Sequence, residues 1–342
     1  MYLKVEDLSI DQKLGMVLCA RRLSNPEDLE YTLEMIRNHA IGAVQLPMKD
    51  NTKEIAAKLK EAADYPLLIL CDAETGYRRC DLPKVSAMAL AACGKPEYYE
   101  AFARGLVKYA REDGLNGVWA PVLDIQRVNA PCSVHRHYGD TPEKVAEREG
   151  IIARVFKENG LICTGKHYPG GEDLPYDSHM TECLSYVSEQ ELNDYDLYPY
   201  KALLKQDLLP SVMTRHCTYL NIDTQYPATL SKKVLDILRN EGFDGVYFTD
   251  SLAMMGIMQK YGEENAYGLC IAAGIDNILT NYRTPTKTCF EYLKKNFEDG
   301  MFTEERLNDA VRHVLDLQRQ VGEMQSIEPV FTSFDLKIIH FD

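Results

Sequence analysis

Short apolar runs alternate along this chain with longer stretches of helical period. The runs cover residues 42–46, 67–71, 117–123, 161–164, 211–213, 245–248 and 276–279. Each is too short for a core helix and too uniformly apolar to leave one face in water. That pattern predicts parallel strands buried on both faces. The stretches between them carry helix ends: Thr141 followed by Pro142 is an N-cap and first-turn pair, and Gly160 closes that helix. Ser188 with Glu191 predicts a capping box. Val234, Leu235, Ile237 and Leu238 form one apolar face before Gly242 stops the helix. Leu307, Ala310, Val311, Val314 and Leu315 repeat the pattern near the C-terminus.

Strands alternating with helices predict an α/β fold with a parallel, helix-covered sheet. Seven strands show. The eighth that would close a (β/α)8 TIM-type barrel does not, so periodicity leaves an open doubly wound sheet standing beside the barrel. No linker or compositional break interrupts the pattern, which predicts a single domain over residues 1–322. Residues 323–342 lack helical period and are expected to form a tail packed on the barrel.

Composition narrows the partners. The 342 residues suit one barrel with its helices, and a 45% hydrophobic content supports a sizeable core. Acidic residues outnumber basic ones 52 to 38, and a charge of −14 repels nucleic acid and anionic lipid alike. The opening Met1-Tyr2-Leu3-Lys4-Val5-Glu6-Asp7 does not look like a secretory signal, and no run approaches the length of a membrane span. The ten cysteines are scattered, without Cys-x-x-Cys or zinc-like spacing. The expectation is a reduced, cytoplasmic protein without metal or cofactor. The pattern is silent on oligomeric state.

Chemistry gathers where the apolar runs stop. Asp72 and Glu74 follow the second run, Asp124 the third, Lys166 and His167 the fourth, Arg215 and His216 the fifth, and Asp250 the sixth. In a barrel these carboxyl ends surround one mouth, where barrel enzymes place their active sites. A single Asp after a strand is often only a cap; five successive strands ending in ionisable groups favour a site. Residues 165–179 hold glycines and prolines that predict a loop rather than helix or strand. Within it Asp177 and His179 are two residues apart, so the carboxylate can orient the imidazole for proton transfer near neutral pH.

These residues resemble a known family. Lys166-His167-Tyr168-Pro169-Gly170 followed by Asp177-Ser178-His179, then Val212-Met213-Thr214-Arg215-His216, then Pro227-Ala228-Thr229-Leu230-Ser231, are similar to motifs of glycoside hydrolase family 3. So are Gly242-Phe243-Asp244-Gly245-Val246 leading into Thr249-Asp250-Ser251-Leu252-Ala253-Met254, and, upstream, Ala120-Pro121-Val122-Leu123-Asp124-Ile125 and Arg136-His137-Tyr138-Gly139. The order matches the short single-domain bacterial β-N-acetylglucosaminidases of the NagZ type. The resemblance implies a retaining, exo-acting enzyme that removes terminal N-acetylglucosamine through a covalent glycosyl-enzyme intermediate, as in recycling of cell-wall muropeptides. Asp250 would be the nucleophile, and His179, held by Asp177, the acid and then the base. Asp72, Arg136, Lys166 and His167 would bind the sugar hydroxyls. His216 would line the site or only pack; Met254 would be an apolar pocket wall or plain core; Asp124 would buttress its strand end.

Departures from the family pattern lie around the pocket. Gly170-Gly171-Glu172-Asp173 replaces the usual Gly-His-Gly-Asp, Tyr77 stands where an arginine is usual, and Cys132-Ser133-Val134-His135 replaces a proline- and glycine-rich turn. They bear on the sugar and leaving group more than on the reaction. Other sugar specificity, or phosphate in place of water as acceptor, stands as the alternative. A different class is a metal-dependent barrel hydrolase with His167, His179, His216 and Asp250 as ligands; another is a non-catalytic sugar-binding protein.

Overall fold

The computed structural model describes residues 1–77, 85–127, 134–171 and 181–331. Its strands are β1 (Leu18–Ala20), β2 (Ala43–Gln45), β3 (Leu68–Cys71), β4 (Gly117–Val118), β5 (Ile162–Cys163), β6 (Gly165–Tyr168), β7 (Cys183–Ser185), β8 (Ser211–Thr214), β9 (Cys217–Tyr219), β10 (Val246–Thr249) and β11 (Ile278–Leu279). Parallel pairing runs β11-β1-β2-β3-β4-β5 in one ladder and β10-β8-β6 in another. Only Thr164 separates β5 from β6, so they form one stave, and a parallel bridge between Phe248 and Asn277 joins β10 to the start of β11. The ring therefore closes with eight staves as a TIM-type (β/α)8 barrel. The short pair β7-β9 lies apart from it.

Two corrections to the sequence reading follow. The missing eighth strand is β1, which comes directly after the helix Ile10–Met16 with only Val17 between. The second concerns residues 165–168, expected in a loop, which are strand: Gly165 pairs with Val212, Lys166 with Met213 and Tyr168 with Thr214. A strand whose side chains are Lys and His escapes any search for apolar runs, because ion pairs and hydrogen bonds rather than hydrophobicity compensate its burial.

Side chains alternate between two cores. Leu68 and Leu70 of β3, Trp119, Ile162, Met213, and Val246 and Phe248 of β10 fill the barrel interior. Ile69, Cys71 and Tyr247, one residue out of phase, pack outward against the helices. Trp119 meets Phe248 edge-on at 4.9 Å, an arrangement worth about 0.5–1.5 kcal/mol beyond burial.

Expected helix ends are present. Thr141 accepts from the Lys144 amide ahead of Pro142–Glu158, and Ser231 caps Lys232–Asn240. Ser188 accepts from the Glu191 amide, one of the two bonds of a capping box.

At the amino end of the last stave Asp276, fully buried, takes Arg239 at 2.6 Å, Arg306 at 2.8 Å and His313 Nδ1 at 3.1 Å, and accepts the Tyr247 amide at 2.9 Å. This cluster ties the helix Lys232–Asn240 and the final helix Glu304–Met324 to the barrel floor. Past that helix the Val330 amide donates to Asn159 Oδ1 at 2.7 Å, and Arg111 donates to the Gln325 carbonyl. The rest of the expected tail, 332–342, lies outside the described residues.

Candidate active site

The carboxyl ends of the staves bring most of the sequence-derived residues together. Lys166 and His167 lie in β6, Asp72 and Glu74 just past β3, Asp124 after the β4 stave and Asp250 directly after β10. Arg136 reaches in from the short turn Val134–Arg136. Asp177 and His179 fall outside the described residues.

Lys166 and Glu74 form the centre of the cluster. The buried Lys166 Nζ lies 2.5 Å from Glu74 Oε1 and 3.1 Å from Asp72 Oδ1. Arg136 grips Glu74 with two bonds, Nη2 at 2.6 Å and Nε at 2.8 Å, the paired geometry that suits guanidinium to carboxylate. The Glu74 carboxyl is pulled two ways. Burial pushes its pKa up, but Lys166 and Arg136 outweigh burial and hold it well below the usual carboxylate range. Burial likewise lowers Lys166, while Asp72 and Glu74 raise it and keep it charged. The Asp72 side chain is 57% exposed, so this carboxylate still has lone pairs for an incoming ligand.

Asp124 is the buttress beneath. Its carboxylate lies 2.6 Å from His167 Nδ1 and also accepts the His167 backbone amide. With Nδ1 donating to Asp124, Nε2 is the acceptor for Arg136 Nη2 at 3.1 Å. The imidazole is thereby fixed in orientation.

Across the mouth, the Asp250 amide donates to the Thr214 carbonyl, and the Ser251 amide donates to Asp250 Oδ1 at 2.6 Å. Burial raises the Asp250 pKa, yet the neighbouring imidazoles of His167 and His216, the Ser251 amide and the Lys166 ammonium together bring it below the ordinary carboxylate value. Asp250 is thus kept ionised, as a nucleophile needs. His216 does not point its nitrogens at open space. Its Nδ1 lies 2.8 Å from Thr229 Oγ1 and its Nε2 donates to the Ser251 carbonyl at 3.0 Å, so it braces the turn that carries Asp250. Met254 precedes the helix Met255–Tyr261 and is buried, but belongs to neither core cluster.

The structure adds Arg21, which sequence reasoning missed. It follows β1 and donates from Nη1 to Ser251 Oγ at 2.6 Å, beside the Asp250 turn. Its only signal would have been its place after a strand, and that strand was itself unread. Tyr77, which replaces the usual arginine, is buried with its hydroxyl 2.7 Å from Asp113 and takes part in packing. At the other departure, Gly170 and Gly171 have φ of +94° and +78°. A Cβ on Gly170 would come within 3.0 Å of Asp196, and the Gly170 carbonyl accepts from Arg215 and Tyr219, which fixes the chain where it enters residues 172–180. Among the described residues no three His, Cys, Asp or Glu side chains are grouped to share a metal ion.

The chain matches the glycosyl hydrolase family 3 N-terminal domain over residues 9–317. It is 27% identical over 334 residues to a β-N-acetylglucosaminidase/β-glucosidase of Cellulomonas fimi, covering 92% of this chain and 58% of that relative. Among solved structures it resembles a family 3 β-N-acetylglucosaminidase from Paenibacillus sp. str. FPU-7, with a TM-score of 0.86 and 27% identity over 97% of this chain and 68% of that one. It also resembles a β-glucoside phosphorylase, BglX, bound to 2FGlc, with a TM-score of 0.84 and 25% identity over 98% and 63% of the two chains.

Proposed function

Because this chain belongs to glycosyl hydrolase family 3, we propose that it is a retaining, exo-acting β-N-acetylglucosaminidase with Asp250 as its nucleophile. The observation that carries this reading is Asp250, its pKa held below the ordinary carboxylate value, at the same barrel mouth as the Asp72–Lys166–Glu74 cluster. In the first step the carboxylate attacks the anomeric carbon and the glycosidic bond breaks, leaving a glycosyl-enzyme ester. His179, oriented by Asp177, donates its proton to the leaving oxygen. In the second step the same imidazole takes a proton from water, which displaces Asp250 and restores the β configuration. Asp72 accepts hydrogen bonds from vicinal hydroxyls, while Lys166, Arg136 and His167 orient the remaining sugar oxygens. Met254 lines the pocket as an apolar wall.

The named activities of the Cellulomonas and Paenibacillus relatives support N-acetylglucosamine as the sugar. A panel of aryl β-glycosides tests it: fastest turnover on the N-acetylglucosaminide is expected, and a clear preference for glucoside overturns the sugar assignment. Cell-wall fragments in the cytoplasm are the natural substrate we favour, in keeping with the acidic, cysteine-scattered sequence. No helix among the described residues is long and apolar enough to cross a membrane.

Two variants probe the parts. His179→Ala is expected to slow substrates with poor leaving groups by about 10²–10⁴-fold, yet spare activated aryl glycosides, since only the former need a proton in the transition state. Equal losses on both remove His179 from the acid role. Glu74→Gln is expected to lower kcat/KM by about 10²-fold, because it leaves Lys166 and Arg136 short of a buried counter-charge. Near-normal kinetics would make the Glu74 pairs incidental.

The likeness to a β-glucoside phosphorylase favours one second reading, transfer of the glycosyl group to phosphate. Product analysis with and without phosphate separates the two: a glycosyl phosphate appears only in phosphorolysis.

A further inference from the structure

We infer that the mouth has a second, anion-binding compartment, built to take a phosphate group carried on the exocyclic carbon of the sugar. This rests on the glycosidase reading for the placing of that sugar.

A pocket of about 400 Å³ opens between the ends of β1, β2 and β11. Its walls include Arg21, Arg22, Lys49, Gln45 and Tyr282, and they contain three cations and no carboxylate. In a chain of net charge −14 such a concentration of positive charge stands out. Arg22 is partly committed, paired with Asp28 at 2.9 Å and donating to the Arg283 carbonyl. Arg21 and Lys49 have no ion-pair partner among the described residues. The Gln45 side-chain oxygen is buried without a hydrogen-bond partner among them, and a sugar hydroxyl would satisfy it. At the lip stands Tyr282, half exposed, with Arg21 5.5 Å and Arg283 5.2 Å from its ring centre.

Sugar geometry directs the ligand there. A pyranose presents its secondary hydroxyls along one edge, and its ring oxygen and exocyclic carbon along the other. With the anomeric carbon at Asp250, after β10, and the hydroxyl edge on Asp72, Lys166 and His167, the other edge faces β11, β1 and β2. Arg21 is the wall common to both compartments: it bonds Ser251 beside the nucleophile and lines the pocket. Electrostatically it is coupled to both Asp250 and Asp72. A carboxylate on the ring carbon itself would reach little beyond Arg21. A phosphate ester, two bonds longer and with three terminal acceptor oxygens, extends to Lys49 and Arg22.

Calorimetry on the full chain tests this with N-acetylglucosamine, its 6-phosphate, glucuronate and inorganic phosphate, on wild type and Lys49→Ala. The 6-phosphate is expected to bind at least about 10-fold more tightly than the parent sugar at low salt. Lys49→Ala is expected to erase most of that gain, leave affinity for the parent sugar unchanged and melt as the wild type does. Equal affinity for the two sugars overturns the proposal, and so does a phosphate preference that survives in Lys49→Ala. Tighter binding of glucuronate moves the site to a carboxylate and overturns the phosphate assignment. Inorganic phosphate that binds beside the parent sugar and speeds turnover marks an acceptor site instead, and overturns it too. If no aryl glycoside is hydrolysed but the Lys49-dependent preference holds, the catalytic reading fails and the anion compartment stands.

Discussion

Asp250→Ala abolishes turnover of aryl β-N-acetylglucosaminides, with kcat falling roughly 10⁴-fold or more, on the scale seen when a nucleophile is removed. The expected size of the effect follows from the frame that holds this side chain. Asp250 stands at the end of a stave held on both sides, its amide bonded to Thr214 and its carboxylate to the Ser251 amide. His216 bonds the next carbonyl and Arg21 the next hydroxyl, so the turn is fixed from two directions. Alanine removes the proposed attacking oxygen and the bond to the Ser251 amide, but leaves the Thr214, His216 and Arg21 bonds that hold the turn. A small anion such as azide should therefore enter the vacated space, restore part of the rate with activated substrates and give the α-glycosyl azide. That inverted product is diagnostic of a nucleophile lost rather than a fold lost. Residual activity above about a tenth of wild type, with no effect of azide, would remove Asp250 from the reaction.

Asp276→Ala lowers stability by about 3–5 kcal/mol, the cost of breaking a buried ion-pair cluster from one side. Arg239, Arg306 and His313 converge on this fully buried carboxylate, and without it the two guanidiniums lose the buried counter-charge they share. A denaturant midpoint close to wild type would refute the prediction. The pH dependence has a definite sign. Burial raises the Asp276 pKa, but the His313 bond and the charges of Arg239 and Arg306 more than offset it, leaving the pKa well below the ordinary value. A carboxyl depressed on folding stabilises the native state above its unfolded pKa and loses that contribution as the pH falls toward the folded one. Wild type should accordingly weaken as pH drops below about 4, and Asp276→Asn should show a flatter profile over that range.

Much of this architecture could be read from apolar patterning, because a barrel stave buried on both faces has no polar phase to confuse it. The exceptions are physical. β1 follows so closely on the helix Ile10–Met16 that Leu14, Met16, Val17 and Leu18 read as one apolar stretch. β6 hides for the opposite reason, since Lys166 is buried in ion pairs and His167 against Asp124. In the candidate site, position after an apolar run was enough to single out Asp72, Lys166, His167 and Asp250 as candidates, which the structure brings to one barrel mouth. It could not show that Arg136 and Glu74, 62 residues apart, meet in a paired bond. Nor could it foretell that His216 turns its nitrogens onto Thr229 and Ser251 rather than into the mouth. Arg21 was lost with the strand that precedes it.

Ring closure through β1 and β11 has a consequence for how the molecule is made. The hydroxyl of Thr280 reaches the carbonyl of Cys19 across 261 residues of chain. At ordinary translation rates, between about 13 and 52 s pass on the ribosome from the synthesis of the first stave to that of the last. Throughout that interval β1 can pair with β2 but presents its other edge, rich in backbone donors and acceptors, to whatever is nearby. The first stave of the ring to be made is thus the one that waits longest for its closing partner, and its free edge is where the unfinished barrel stays open longest.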